Sequence, residues 1–127
     1  MATTLTEFTP QWAFLISEAS NTRSREQIFL AAGNNLKSGT VLGKITASGK
    51  YTALAPASTD GSQAAAAILC WNTDATAADK RTVCISNEAE VDDQLLVWPS
   101  GITTPQKATA TSQLLTLQIK LRQGEPQ

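Results

Sequence analysis

The chain has 127 residues, the length of a single small domain, and 42% of them are hydrophobic, so we expect one modest core. Only 17% of the residues are charged and the formal net charge is −1, which excludes the basic face that binds nucleic acid or an anionic membrane. The chain has no histidine. The commonest general base and metal ligand is therefore missing, together with every Ser–His or Cys–His nucleophile pair. We expect no nucleic-acid, membrane or small-molecule partner, no cofactor, no metal site and no catalytic residue.

The first thirteen residues are rich in threonine, carry one charged side chain and show no sustained periodicity. We expect residues 1–13 to form an extended arm. The arm contains three large apolar residues, Leu5, Phe8 and Trp12. Because large exposed apolar side chains tend to mark contact sites, we interpret the arm as a contact segment rather than a frayed terminus. The start of the chain lacks the basic and apolar regions of a secretory signal, so we expect synthesis in the cytoplasm.

The stretch from Gly39 to Thr46 superficially resembles a phosphate-binding loop. Three residues rather than four precede its Gly-Lys pair, and Ile45 rather than Ser or Thr follows Lys44. Its β-branched residues favour a strand, so no helix N-terminus is available to hold a phosphate. The stretch instead predicts a hairpin, with strands at 40–46 and 51–55 and with Gly49 supplying positive φ in the turn.

Three other apolar segments, each closely bounded by turn residues, predict strands at 27–31, 64–70 and 82–86. The last two contain Cys70 and Cys84. Two cysteines are too few for a disulfide framework, and a structural zinc site normally uses four Cys or His ligands. We interpret both as buried side chains that behave as small hydrophobes. The alternative is a cross-strand disulfide between them, which a cytosolic protein rarely keeps.

The only dense carboxylate cluster lies in residues 86–94, which we interpret as a polar loop. Paired carboxylates can hydrolyse glycosides, but this segment has no aromatic sugar platform and no desolvating neighbours to tune a pKa. A small carboxylate-dependent hydrolase is therefore an alternative with little support. The carboxylates concerned are Glu88, Glu90, Asp92 and Asp93.

The end of the chain predicts one helix and one strand. Thr104 as N-cap and Pro105 as first helical residue favour a helix over 105–115, and strict alternation predicts a strand at 117–122. The expected fold is α+β and β-rich: a small mixed barrel or sheet domain at 14–122 with one helix in its C-terminal half. The N-terminal arm precedes this domain, and an exposed tail follows at 123–127.

Several segments with this order and spacing resemble the head decoration protein D family of lambda-like tailed phages. The clearest are Gly39-Thr-Val-Leu-Gly-Lys-Ile-Thr46, Pro56-Ala-Ser-Thr-Asp-Gly61 and Trp98-Pro-Ser-Gly-Ile-Thr103. Five shorter segments carry the same resemblance, at residues 17–19, 24–26, 49–51, 74–79 and 89–91. The resemblance extends from about residue 14 to 122, and its specificity lies in the order of the pieces.

The resemblance implies a capsid decoration protein of the virion. It implies a homotrimer that binds the major capsid protein on the outer surface of the expanded head, at three-fold positions, and stabilises the shell against packaged DNA. In the family the segment before the core attaches to the shell. The candidate capsid-binding residues are accordingly Thr3, Thr4, Leu5, Thr6, Phe8, Thr9, Pro10 and Trp12. Trp98 and Pro99 are expected to anchor the closing helix in the core or to contact another subunit.

A second alternative is a small carrier-type β-barrel domain of the biotinyl or lipoyl kind. Such carriers present a modified lysine at a hairpin tip, and Lys50 lies near one here. The flanking Ser48-Gly49 and Tyr51 do not match an attachment motif.

Overall fold

The computed structural model describes residues 11–19 and 24–122. This part of the chain forms ten short strands, one α-helix and a single 3-10 turn at Asp93–Leu95. In chain order the elements are β1 Leu15–Glu18, β2 Arg25–Leu30, β3 Asn34–Leu36, β4 Val41–Lys44, β5 Tyr51–Ala53, β6 Ala65–Leu69, β7 Thr73–Ala75, β8 Lys80–Ile85, β9 Ala89–Asp92, α1 Thr104–Thr116 and β10 Ile119–Arg122. The expected β-rich α+β fold with one helix is confirmed.

Five strands close into a small barrel in the order β2-β5-β4-β6-β8. All neighbours are antiparallel except β2 and β5, which run parallel. The alternation along β2 sets its inner and outer faces, because Ile28 and Leu30 are buried while Gln27 and Phe29 are exposed. The barrel interior is filled by Ile28, Leu30, Leu42, Tyr51, Ala67, Leu69, Ala75 and Cys84.

A three-stranded sheet, β1-β9-β10, lies beside the barrel. Its central strand β9 runs antiparallel to β1 and parallel to β10. The helix α1 packs its buried residues Ala110 and Leu114 into the same core as Phe14, Val91 and Ile119. The core therefore joins sheet, helix and barrel wall into one unit. A separate pair, β3 and β7, makes a two-stranded ribbon.

The prediction of a polar loop at 86–94 is wrong for residues 89–92, which form β9. Its apolar side chains Ala89 and Val91 are buried, whereas Glu90 and Asp92 point away from the core. Two small apolar residues make a weak strand signal in the sequence. The strand forms because it gains backbone partners on both sides.

The hairpin is confirmed, and its strands are shorter than predicted. Gly49 has the expected positive φ, 75°. Two other glycines allow close backbone approach: a Cβ at Gly43 would lie 2.2 Å from the carbonyl oxygen of Ser62, and one at Gly61 would lie 2.6 Å from the carbonyl oxygen of Lys44.

The helix begins one residue earlier than predicted, because its N-cap is Thr103 rather than Thr104. The Thr103 hydroxyl accepts a hydrogen bond from the Gln106 N–H, and Oε1 of Gln106 accepts one from the Thr103 N–H. This reciprocal capping box requires Glu or Gln three residues after the cap, which Thr104 would not have. At the other end Leu117 caps the helix and Gln118 has φ 66°, so β10 starts at Ile119.

Candidate functional site

Two of the four carboxylates of the acidic segment, Glu90 and Asp92, make structural contacts. Oε1 of Glu90 accepts a hydrogen bond from Nη1 of Arg122 at 3.2 Å, which ties β9 to β10. Oδ1 of Asp92 accepts from the Gln94 N–H at 2.9 Å and so caps the 3-10 turn. Within residues 11–19 and 24–122, no group of three or more Asp, Glu or Cys side chains is placed to hold a metal ion.

Lys50, the candidate carrier lysine, is held against the barrel. Its ammonium forms an ion pair with Asp79 at 2.5 Å. The contact with Lys50 and the N–H of Ala32 together lower the pKa of the Asp79 carboxyl below its usual value. A lysine used for attachment would have to break this pair, so the arrangement favours a structural role.

Cys70 and Cys84 are free thiols with no exposed surface. Burial raises the pKa of Cys70 to about 12, and burial likewise raises the pKa of Cys84. Both side chains are therefore neutral at physiological pH and pack as hydrophobes, because thiolate character is what makes cysteine reactive.

An open cavity of about 450 Å³ lies between the barrel and the end of α1. Ala64, Ala65 and Leu117 are among its lining residues, and Gln113 at its edge already accepts the Ala65 N–H through Oε1 at 2.8 Å. Burial raises the pKa of Tyr51, which also lines it, to about 12. Its lining also includes Glu26, Lys44 and Asn87, and Oδ1 of Asn87 is buried without a hydrogen-bond partner in the described part of the chain.

Most of the sequence-predicted site cannot be placed. Thr3, Thr4, Leu5, Thr6, Phe8, Thr9 and Pro10 lie outside the described residues. Trp12 lies within them: its backbone N–H donates to Oγ of Ser38 at 2.9 Å, and its ring packs against the main core. The neighbouring Gln11 accepts the Asn72 N–H through Oε1 at 2.6 Å. Residues 11 and 12 are therefore attached to the domain, and they fix the point from which residues 1–10 depart.

Trp12 belongs to an aromatic patch that the sequence did not predict. Its ring meets that of Trp71 edge-on, with centroids 5.3 Å apart and planes inclined at 76°. The guanidinium of Arg25 lies 4.4 Å from the Trp12 ring centroid. On the same barrel wall Arg81 lies 5.5 Å from the centroid of Phe29, its register partner. We refer to Trp12, Arg25, Phe29, Trp71 and Arg81 as the aromatic face.

A weak signal for the aromatic face was present in the sequence. Phe29 occupies an outward position in the alternation of β2, and Trp71 follows directly on the apolar run of β6. Neither residue stands out alone, because the barrel register is what brings them onto one surface.

Trp98 is half-buried and packs against the main core, with Nζ of Lys107 from α1 5.2 Å from its ring centroid. Pro99 accepts the Ile102 N–H through its carbonyl at 3.2 Å, which closes the turn that leads to the helix. In the described part of the chain the indole N–H of Trp98 has no acceptor. Its ring is therefore held by packing and by Lys107 rather than by a hydrogen bond.

No helix in the described part is both long and apolar enough to span a bilayer.

Comparison with known proteins identifies the family to which the chain belongs. A comparison with curated proteins finds no match. The family model of the bacteriophage lambda head decoration protein D matches residues 4–119. Since this match covers most of the chain, the protein belongs to the bacteriophage lambda head decoration protein D family, a family of structural, non-enzymatic components of the phage head.

Proposed function

We propose that this protein is a homotrimer that binds the outer surface of the expanded head at three-fold positions and stabilises the shell against the pressure of packaged DNA. The observation that carries the proposal is the family match over residues 4–119. The structural contacts of Glu90, Asp92 and Lys50 support a binding protein rather than an enzyme or carrier.

Residues 1–10 are the segment through which we propose that each subunit attaches to the major capsid protein. A threonine-rich extended segment can add a strand to an exposed sheet edge by backbone hydrogen bonding. Leu5 and Phe8 would then fill apolar pockets of the capsid protein. Trp12 contributes differently, because its contacts with Ser38 and Trp71 orient the start of the arm relative to the barrel.

Three arms on one trimer would act together. Once one arm is bound, the other two bind intramolecularly, which raises the apparent affinity by roughly 10²-fold or more. A ligand that binds one state of its target stabilises that state by mass action. Binding to the expanded shell alone would therefore strengthen the shell without any chemical step.

The test is binding to expanded, undecorated heads of the cognate phage, with unexpanded heads as a comparison. The variant to compare lacks residues 1–10. Deletion through residue 13 would also remove Trp12, which packs against the domain core, and would confuse a folding defect with a binding defect. We expect the shortened protein to retain its circular dichroism spectrum and its self-association but to bind expanded heads at least about 100-fold more weakly.

Matched side-chain variants refine this experiment. Leu5→Ala with Phe8→Ala removes the apolar anchors and should weaken binding. The matched control is Leu95→Ala with Leu115→Ala, which truncates two exposed apolar side chains of the domain and should bind normally. Undiminished binding of the shortened protein would overturn the arm mechanism. Failure of the full-length protein to bind any head would overturn the function itself.

A further inference from the structure

We propose that the aromatic face is a second docking surface for the major capsid protein, next to the point where the arm leaves the domain. The inference rests on the proposed function, namely that the protein binds the phage head. It adds a rigid contact, made by side chains of the barrel wall, to the extended contact made by residues 1–10.

The composition of the aromatic face is that of an interface hot spot. Trp71 is 46% exposed and Phe29 is 47% exposed, although residues of this size are normally covered. Hot spots are enriched in Trp and Arg, and large aromatic anchors dominate the binding energy. Single exposed apolar residues are unremarkable, but here the Trp71 and Trp12 rings touch and two arginines flank the group.

The aromatic face is preorganised in the free protein. Arg25 is fixed by two hydrogen bonds to the Glu18 carboxylate, at 3.0 and 2.7 Å, while its guanidinium covers the Trp12 ring. Phe29 and Arg81 are register partners on the longest strand pair of the barrel, β2 and β8. Side chains already ordered lose little conformational entropy on binding, which improves affinity.

The surface around Trp71 can receive a partner's side chains. A shallow cavity of about 320 Å³ lies on one side, with Asn72 and Arg81 in its lining, and one of about 300 Å³ lies on the other, next to Trp12 and Arg25. Arg81 forms no ion pair with any carboxylate in the described ranges. Its guanidinium is therefore available to a carboxylate or carbonyl group of the partner.

The position of the arm selects the capsid protein as the occupant. Gln11 accepts a hydrogen bond from the N–H of Asn72, the residue that follows Trp71. The ten residues before Gln11 therefore begin at the edge of the aromatic face, and a capsid subunit that binds them lies beside it. The barrel is closed, so its wall offers no free strand edge and must be recognised through side chains.

The binding experiment uses full-length protein titrated onto expanded heads. The variants are Trp71→Ser and Arg81→Glu, tested separately so that one altered fold does not decide the result. We expect each to weaken binding about tenfold or more. The matched controls are Leu115→Ser, which changes an exposed leucine on α1 (57% exposed), and Lys120→Glu, which changes an exposed charge on β10; both should bind like the unmodified protein.

Hydroxyl-radical footprinting read by mass spectrometry identifies what covers Trp71 and Phe29. The proposal predicts that both are oxidised in the free protein and protected on heads. Protection in the free protein that disappears when residues 1–10 are removed would assign the face to the chain's own N-terminus. Protection that rises with protein concentration alone would assign it to contacts between copies.

Either of those two footprinting results overturns the proposal, and so does unchanged head binding by both Trp71→Ser and Arg81→Glu. Head binding itself has a separate criterion, because it is refuted if the unmodified protein does not bind heads. A head-binding protein whose aromatic-face variants bind normally would retain the function and lose this inference.

Discussion

Gly43 in β4 and Ser62 in the loop before β6 are in backbone contact. A Cβ added at Gly43 would lie 2.2 Å from the Ser62 carbonyl oxygen and 2.7 Å from its carbonyl carbon. Ser62 is itself fixed, because its N–H and hydroxyl donate to Oδ1 of Asp60 at 3.0 and 2.5 Å. The glycine that gave this segment its resemblance to a phosphate-binding loop is therefore a packing requirement of the barrel.

Replacing Gly43 by alanine should destabilise the protein strongly. The new methyl group would overlap backbone atoms that cannot rotate away, and overpacking of this kind costs about 1–3 kcal/mol or more. Urea denaturation at neutral pH measures the loss. Gly49→Ala is the control, since a Cβ there meets nothing within 4 Å and only its positive φ, about 1–2 kcal/mol, opposes it. An equal or smaller loss at Gly43 would contradict the contact.

Removing the helix cap should have a smaller, separable effect. Thr103→Ala deletes the hydroxyl that accepts the Gln106 N–H, and loss of such a cap costs about 1 kcal/mol. Thr109→Ala is the matched control, because its hydroxyl only donates to the Pro105 carbonyl on an exposed helix surface. The control should stay within about 0.5 kcal/mol of the unmodified protein. Equal free energies of unfolding for the two variants would show that the capping box contributes nothing.

Trp98→Ala should distinguish the two roles expected for this residue. If Trp98 anchors the helix, it does so as a half-buried ring that packs against the core and lies near Lys107. Its removal should then lower the free energy of unfolding by about 2 kcal/mol, which is less than the full cost of removing a buried Trp. Self-association, followed by analytical ultracentrifugation, should be unchanged. Unaltered stability with weakened association would instead make Trp98 a subunit contact. Leu115→Ala, at an exposed site on the same helix, is the control.

Stability should fall at acid pH because of three aspartates, Asp60, Asp74 and Asp79. Hydrogen bonds from Ser62 lower the pKa of Asp60, those from Thr76 lower the pKa of Asp74, and the contacts with Lys50 and Ala32 lower the pKa of Asp79. A carboxyl group whose pKa is lowered by folding stabilises the protein at pH values above its pKa in the unfolded chain, 3.8. That contribution is lost as the pH falls through the pKa of the folded state. The urea midpoint should therefore decline below about pH 4.

The same measurement should show a plateau between about pH 5 and 8, where histidine titrates in other proteins, because the chain has none. At high pH the raised pKa values of Cys70 and Tyr51 work in the opposite sense. Their neutral forms are favoured by folding, so stability should decline as pH rises past their unfolded values of 9.0 and 10.0.

The acid decline has its own test. Replacing Asp60, Asp74 and Asp79 by asparagine should reduce the fall of the urea midpoint below about pH 4. An unchanged fall in the triple variant would contradict the role of these aspartates.

The sequence predicted those elements that carry a local signal, either an apolar segment bounded by turn residues, strict alternation or helix-capping residues. The apolar segment of β2 between turn residues, the alternation in β10 and the proline near the start of α1 were sufficient to find these elements. The family resemblance, inferred over about residues 14–122, is confirmed by a family match that begins ten residues earlier, over residues 4–119. The strand β9 was missed because its apolar residues are only Ala89 and Val91, and its stability comes from partners distant in the sequence.

The candidate site was predictable only in part. The attachment of Trp12 to the domain depends on Ser38 and Trp71, which are far away in the sequence and reach it only through the fold. The aromatic face likewise requires the six-residue register of β2 with β8. Local patterns carry no information about such contacts, because they describe which side of a strand a residue occupies and not what lies beside it.

The central claim, that the protein stabilises the phage head, is tested most directly by heating DNA-filled heads that lack decoration and measuring DNA release with a fluorescent dye. Added full-length protein should raise the temperature of release, and protein lacking residues 1–10 at the same concentration should leave it unchanged. The account is contradicted if saturating full-length protein binds these heads and the release temperature stays that of undecorated heads.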